Sequence, residues 1–300
     1  MKKYLRNLLM LPLAVALWVG CEAEEVTYQG QEFVMFADSS YLIPVYEKDT
    51  VFNVTVSSSV VCDYDRNYAV EVVTEKSTAI RGFHFDFAEG SNNITIKAGE
   101  ITANVKLKAN FNNVIFRDDL KARLRLVIPE NLSLPAYGNE TSVEFMKVFD
   151  LNMDEFLRPG GNIRMFATFP FSDKRETYLR TARKVNNEMI VVNGMFDNMM
   201  PLRMEFDNSE PLYPSVKVIE QPAFRDASYG EVWARTVDSY ESYFIIPENF
   251  FVLYLEMYVP QMGSFGVHQY IMHCITEDEA KNEANGASPF LLKAASGFTN

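Results

Sequence analysis

The sequence predicts an all-β protein: two β-sandwich-like domains in tandem behind an N-terminal export segment. Three observations carry that reading. Apolar and polar residues alternate with a period of two along most of the chain beyond residue 30, as strands with one buried face require. Short clusters of Gly, Pro, Asn and Asp punctuate these stretches at turn-like intervals. After the export segment, helical character is confined to the acidic stretch beginning at Glu277.

At the N-terminus, Lys2, Lys3 and Arg6 precede an apolar run from Leu8 to Val19 that only Pro12 interrupts. Gly20-Cys21 then stands directly before Glu22-Ala23-Glu24-Glu25. A basic head, a short apolar stretch and a small residue at the cut site describe an export signal, too short to stay in a bilayer as a helix. The arrangement resembles a bacterial lipoprotein signal peptide with its lipobox, with Trp18 standing where that pattern has an aliphatic residue. The resemblance implies a signal peptide over residues 1–20, fatty-acylation (palmitate) at Cys21 and attachment to the membrane through an N-terminal lipid anchor. The acidic residues that follow resemble the surface-export signal of Bacteroidetes lipoproteins, which implies a surface-exposed place on the outer membrane. Residues 21–31 read as an acidic tether.

Without residues 1–20 the chain keeps 25 Lys+Arg against 40 Asp+Glu, a net charge of −15. A nucleic-acid surface needs the opposite field, so nucleic acid is excluded as a partner class. Beyond Cys21 only Cys62 and Cys274 remain. That rules out a disulfide-stapled scaffold, and leaves open whether these two pair or stay separate thiols. The most apolar later stretch, Phe250 to Val259, contains Glu256 and ends at Pro260, so it reads as a buried strand.

The first domain is placed at residues 32–149. Strands are expected at Phe33–Phe36, Tyr41–Tyr46, Val51–Val61, Tyr68–Thr74 and Phe83–Phe87, with turns at Cys62–Asn67 and Glu89–Asn92. Ile94 and Ile96, then Ala98-Gly99-Glu100, then Val105 and Leu107 read as a hairpin. In Leu120–Ile128 the residues Leu120, Ala122, Leu124, Leu126 and Ile128 oppose Lys121, Arg123, Arg125 and Val127, the pattern of a half-buried strand. Pro129 and Pro135 bound a loop before a closing strand, Ser142–Phe149. The count, about seven strands, suits a two-sheet sandwich.

Residues 150–158 read as a linker that leads into Pro159-Gly160-Gly161, and residues 159–276 as a second β-rich domain, richer in large aromatics and methionine. Its expected strands are 163–169, 177–184, 189–193, 202–206, 215–220, 230–237, 243–246, 250–259 and 266–274. Turns fall at Asp207–Ser209, Pro222, Pro247–Asn249 and Met262–Ser264. Residues 277–300 form a tail with one helical segment stopped near Gly286.

Within the first domain, Ser77-Thr78-Ala79-Ile80-Arg81-Gly82-Phe83-His84-Phe85-Asp86-Phe87, then Ile94 to Ile96, then Ala98-Gly99-Glu100 and Val105, resembles the Calx-beta-like domain of Bacteroidetes lipoproteins. The resemblance covers residues 30–149 and implies an immunoglobulin-like sandwich of seven strands. Some members of that group bind calcium between the sandwich loops. Asp38, Glu47, Asp86, Asp118 and Asp119 are the residues of matching type in loop-edge places, and so the calcium candidates the resemblance implies. Calcium wants six to eight converging oxygens, whereas these acids are scattered, and turn-capping or solvated roles stand beside the metal one. Val191-Asn193-Gly194, Tyr213–Val216 and Ser228-Tyr229-Gly230 resemble the uncharacterised C-terminal domains found with such modules. That likeness implies no chemistry.

No enzyme is expected. The chain has three histidines, at 84, 268 and 273, and lacks H-E-x-x-H, G-x-S-x-G and a helix-opening G-x-G-x-x-G. On one strand, His268 and His273 face opposite ways, so they cannot share a zinc ion; no metal or cofactor is expected. His84 is expected to fix its turn through the ring. Paired carboxylates for glycan hydrolysis need only closeness in space, so a glycan-processing hydrolase stays as an alternative. The aromatics between Tyr229 and Tyr270 read either as inter-sheet packing or as a sugar-stacking platform, with Trp233 and Tyr258 the candidate glycan contacts. The expected function is noncatalytic binding or adhesion to a glycan or an envelope protein. The other alternative is a structural subunit of a surface assembly. For the anchor the expected outcome is plain: a fatty-acid probe fed to expressing cells labels the wild type and spares Cys21→Ala, and equal labelling of both overturns it.

Overall fold

The computed structural model describes residues 30–48, 50–88, 92–132, 138–168, 175–197 and 199–285. The signal segment, Cys21, most of the acidic tether, turn residues 89–91, Pro135 and the tail from Gly286 lie outside the described residues. What is described is an all-β, two-domain architecture with one apolar core in each domain.

In the first domain two sheets face each other across one core. One has the order β1 (Val34–Phe36), β3 (Val51–Ser58), β7 (Thr102–Ala109), β5 (Phe85–Phe87). The other runs β2 (Ser40–Val45), β9 (Glu140–Lys147), β8 (Leu120–Val127), β4 (Arg66–Val72), β6 (Asn93–Ile96), with β2 and β9 parallel. Nine strands are present among the described residues, against an expected count of about seven; three of them, β1, β5 and β6, are only three or four residues long. Alternation places Leu120, Ala122, Leu124 and Leu126 inside and the Lys and Arg residues between them outside, as read from sequence. Phe85 stacks on Phe145 from the opposite sheet with ring centroids 4.9 Å apart, a contact worth about 0.5–1.5 kcal/mol beyond burial.

The hairpin expected around Ala98-Gly99-Glu100 does not form. Strand β6 pairs with β4, and β7 pairs with β3 and β5, so the turn carries the chain from one sheet to the other. Ile94 and Ile96 thus meet Val105 and Leu107 across the core rather than along a ladder. Arg66, the first residue of β4, fastens this end. Its buried guanidinium donates to Glu32 Oε1 (2.9 Å), Ser58 Oγ (2.6 Å), Val60 O (3.0 Å) and Glu100 O (2.8 Å). Four acceptors spread the charge that burial would otherwise penalise.

The second domain is a closed barrel rather than the expected sandwich. Its strands are β10 (Asn162–Thr168), β11 (Arg175–Asn186), β12 (Met189–Asp197), β13 (Met200–Asp207), β14 (Ser215–Lys217), β17 (Tyr243–Ile245), β18 (Phe250–Val259) and β19 (Gly263–Ile275). Neighbours pair in chain order, and β19 pairs with both β10 and β18, which closes a ring of eight. Alternation in sequence is the same for a sandwich and a barrel, because both bury one face of each strand. Inward side chains fill the ring. Residues 150–158, read as a linker, carry helix α1 (Met153–Leu157), whose Met153, Phe156 and Leu157 enter the barrel core. Phe156 lies against Phe206, Phe244 and Phe251 at centroid distances of 5.5, 5.7 and 6.2 Å. Gly161 is held at φ +59, and a Cβ there would sit 2.1 Å from the Ala182 carbonyl oxygen, so no side chain fits.

Two more strands, β15 (Gln221–Asp226) and β16 (Gly230–Thr236), leave the ring as a flap on β18. The first was not expected, because Pro222 reads as a turn. It sits instead on an edge strand where the register shifts between Pro222 and Phe224, a place that tolerates a missing N–H. Strand β18 consequently shares one edge between two partners: Phe250–Val252 pair with β17, and Leu255–Tyr258 with β16. At the split, the Tyr254 N–H donates to Ser242 Oγ (2.9 Å), and Ser242 is 9% exposed. Helix α2 (Glu277–Ala284) opens with a capping box between Thr276 and Glu279, in agreement with the expected tail helix. No helix among the described residues is long and apolar enough to cross a membrane.

Two outcomes follow from these contacts. Ser242→Ala leaves the Tyr254 amide without its buried acceptor and is expected to cost about 1–3 kcal/mol in urea unfolding, whereas Ser242→Thr retains most of it. On the outer face of the first domain, Glu140 accepts from Arg123 Nε (3.0 Å), Lys76 Nζ (3.1 Å) and Arg125 Nε (3.0 Å). Burial pushes its pKa up, but the hydrogen bonds from Arg123, Lys76 and Arg125 outweigh that and hold it at about 2, below its ordinary 4.5. A depressed carboxylate stabilises fully above the unfolded value and stops doing so as pH falls through the folded one. The unfolding midpoint of the wild type should therefore drop more between pH 4.5 and 2 than that of Glu140→Gln; parallel curves would refute the assignment.

Candidate functional site

A cleft rich in aromatic side chains lies between the two domains. Its volume is about 670 Å³. The first domain contributes Phe116, Arg117 and Met146–Phe149, and the second contributes Pro211–Lys217, Thr236–Asp238 and Tyr240–Pro247. The second group exists because β16 and β17 part company on β18, so the connection between them, residues 237–242, stands beside the barrel instead of continuing its wall. Pro211 and Pro214 keep the segment around Tyr213 out of regular pairing until Ser215. Tyr213 is 72% exposed, Tyr240 50% and Tyr243 40%, so three rings present themselves here without being consumed by a core.

The seam beneath the cleft is specific. Arg117, at φ +69, reaches Glu248 at 2.6 Å, and Asn208 Nδ2 donates to the Phe149 carbonyl at 3.0 Å. Phe149 packs edge-on against Phe116 and Phe111 (5.7 and 6.0 Å), and the Lys147 ammonium sits 3.9 Å from the centroid of Phe111. A second, more polar cleft of about 600 Å³ shares Val148, Phe149, Ile246 and Pro247 with the first and adds Glu47, Asp150 and Glu155.

Trp233 and Tyr258 are brought together. They are direct cross-strand partners of β16 and β18, half-buried on the outward face of the barrel. The Tyr258 hydroxyl donates to Glu220, and the Arg235 guanidinium lies 4.8 Å from its ring centroid. Arg235 in turn pairs with Glu256 at 2.9 Å and Glu220 at 3.7 Å. Burial, and then the Glu220 carboxylate, raise the Tyr258 phenol to about 12, so it remains a hydrogen-bond donor at any physiological pH. Glu256 moves the other way: burial pushes it up, and the Ser264 hydroxyl and Arg235 more than offset that.

The calcium candidates do not converge. Asp86 pairs with Arg81 (2.8 Å), Asp119 with Lys121 (2.7 Å), the Asp38 carbonyl accepts from Thr141 (2.9 Å), and Glu47 lies in the second cleft. Among the described residues no group of three or more His, Cys, Asp or Glu side chains is placed to hold a metal ion. His84 fixes its turn as expected, its Nδ1 accepting from the Ile80 N–H at 2.9 Å. His268 and His273 fall on opposite faces of β19. Cys62 and Cys274 are free thiols, one in each domain, and burial pushes the Cys274 thiol up to about 12, which makes it unreactive.

No family model matches the chain, and no curated protein does. Solved structures that match do so distantly. A multidomain protein including DUF1735 from Bacteroides ovatus is 12% identical, with 80% of this chain and 92% of that chain covered at a TM-score of 0.33. An auxiliary nutrient binding protein from Bacteroides thetaiotaomicron is 11% identical, with 78% and 89% covered at 0.33. The calcium binding domain CBD12 of CALX1.1 is 12% identical, with 53% and 78% covered at 0.32.

Proposed function

We propose that this chain is a noncatalytic, lipid-anchored protein of the outer membrane that binds a glycan in the cleft between its two domains. The observation that carries the reading is the set of three exposed tyrosines, Tyr213, Tyr240 and Tyr243, gathered on one wall opposite Phe116 and Phe149. Flat rings cover the apolar faces of sugars, and phenol hydroxyls bond to the sugar hydroxyls. A concave, mostly apolar site with a few polar groups at fixed places is the usual form of a small-ligand site. Arg117, Lys217, Asp238 and Glu241 supply such groups here. The Gly20-Cys21 signal and the acidic tether support the anchor and the surface placement. A donor-strand subunit is less well served, since the described sheet edges of the first domain are short strands or carry Pro44.

A glycan array and affinity gels tested against the wild type, Tyr213→Ala and Tyr240→Ala decide the matter. A ring that stacks on sugar contributes on the order of 1–3 kcal/mol by analogy with stacking on bases, so each variant should bind at least about tenfold more weakly. Because both rings are half or more exposed, the thermal melts should stay close to the wild type. Retention of no glycan by the wild type, or unchanged affinity in both variants, would overturn the proposal.

A further inference from the structure

The cleft does not end where its aromatic lining ends. Tyr240 lines it, and its ring stacks on Tyr254 with centroids 5.2 Å apart and planes 18° from parallel. Tyr254 belongs to β18, where Tyr254, Glu256 and Tyr258 alternate with the buried Leu253, Leu255 and Met257, so all three point out of the barrel. Beside them on β16, Arg235 stands opposite Glu256, and Trp233 opposite Tyr258. The outward face therefore carries one continuous row from the cleft: Tyr240, Tyr254, the Arg235–Glu256 pair, Tyr258, Trp233. From Tyr254 to Tyr258 it covers four residues of strand, about 13 Å, more than one pyranose ring fills.

The polar groups along the row are already held in place. Gln269 Nε2 donates to the Tyr254 hydroxyl at 2.7 Å, Arg235 bonds Glu256 at 2.9 Å, and Tyr258 donates to Glu220. A shallow depression beside the far end is lined by Arg235, Glu256, Tyr258 and Ser264. With two carboxylates around it, Arg235 offers no net positive charge to an anionic sugar, and the chain as a whole is acidic at −12.

We infer that the glycan of the cleft is an extended, neutral polysaccharide chain, and that the row from Tyr240 to Trp233 is its second stretch of binding surface. This rests on the cleft reading above and adds to it the length and charge class of the ligand. Rings spaced along a strand reward a ligand that reaches several of them at once, because the second contact is made within an already bound chain.

The test uses neutral oligosaccharides of two, four and six sugar residues from the starch, cellulose, xylan and mannan series. Trp233 and Trp18 are the two tryptophans, so in the full chain carrying Trp18→Phe the fluorescence excited at the red edge, where tyrosine does not absorb, reports Trp233 alone. The hexasaccharide of the series that binds should do so about tenfold or more tighter than the disaccharide, and it alone should shift the Trp233 emission. In Trp233→Ala/Tyr258→Ala that gain with length should disappear; the fluorescence arm, which leaves the row intact, serves even if the double variant folds poorly. A hexasaccharide that binds no tighter than the disaccharide, or binds without moving the emission, refutes the row and leaves the cleft standing. If no oligosaccharide of any series binds, the cleft reading falls as well.

Discussion

A β-strand has two edges, and Phe250–Val259 gives one of them to a single long partner while dividing the other between two. Its pairing with Gly263–Ile275 and with Tyr243–Ile245 builds it into the barrel wall; its pairing with Gly230–Thr236 carries the flap. Backbone amides at such a fork cannot all be met by a neighbouring ladder, and an unmet buried amide costs as much as a lost hydrogen bond. Ser242 resolves the conflict with its side chain, accepting from Tyr254. The flap, the connection that walls the cleft and the outward row of aromatics all originate at this one strand.

The two domains manage charge differently. In the first, the outer face of the five-stranded sheet is a ladder in which Glu140 binds Arg123, Arg125 and Lys76, and Arg125 also meets Glu71. A shared carboxylate at the centre makes the ladder more than a set of isolated surface pairs, which individually contribute little. In the second, the comparable network of Arg235 with Glu256 and Glu220 is interleaved with Tyr258. The first network is built of charge alone; the second sets charge against an aromatic surface.

Much of the strand pattern was legible because half-burial imposes a period of two, and Leu120–Val127 shows it without exception. Which strands pair was not. Ala98-Gly99-Glu100 has the same turn chemistry whether the chain doubles back in one sheet or crosses to another, and only the positions of Arg66 and β4 decide. Closure of the barrel was equally hidden, since it depends on one distant pairing between β10 and β19. Of the proposed binding surface, Trp233, Tyr240, Tyr243, Tyr254 and Tyr258 stood out as an aromatic concentration, although nothing in their spacing told packing from exposure. Tyr213 carried a usable signal: a tyrosine flanked by Pro211 and Pro214 cannot be inside a central strand. Phe116 and Phe149 carried none, because their role arises from the meeting of two domains.

The plug formed by Met153, Phe156 and Leu157 has a mechanical meaning. A hollow barrel could admit solute or deform under a load applied across it, whereas here a helix fixed at the domain junction is embedded among the phenylalanines of the wall. Close-packed interiors resist compression. A load applied to the barrel would thus run through its wall into the helix and on to the first domain along covalent chain, without having to be borne by the thin polar seam between them.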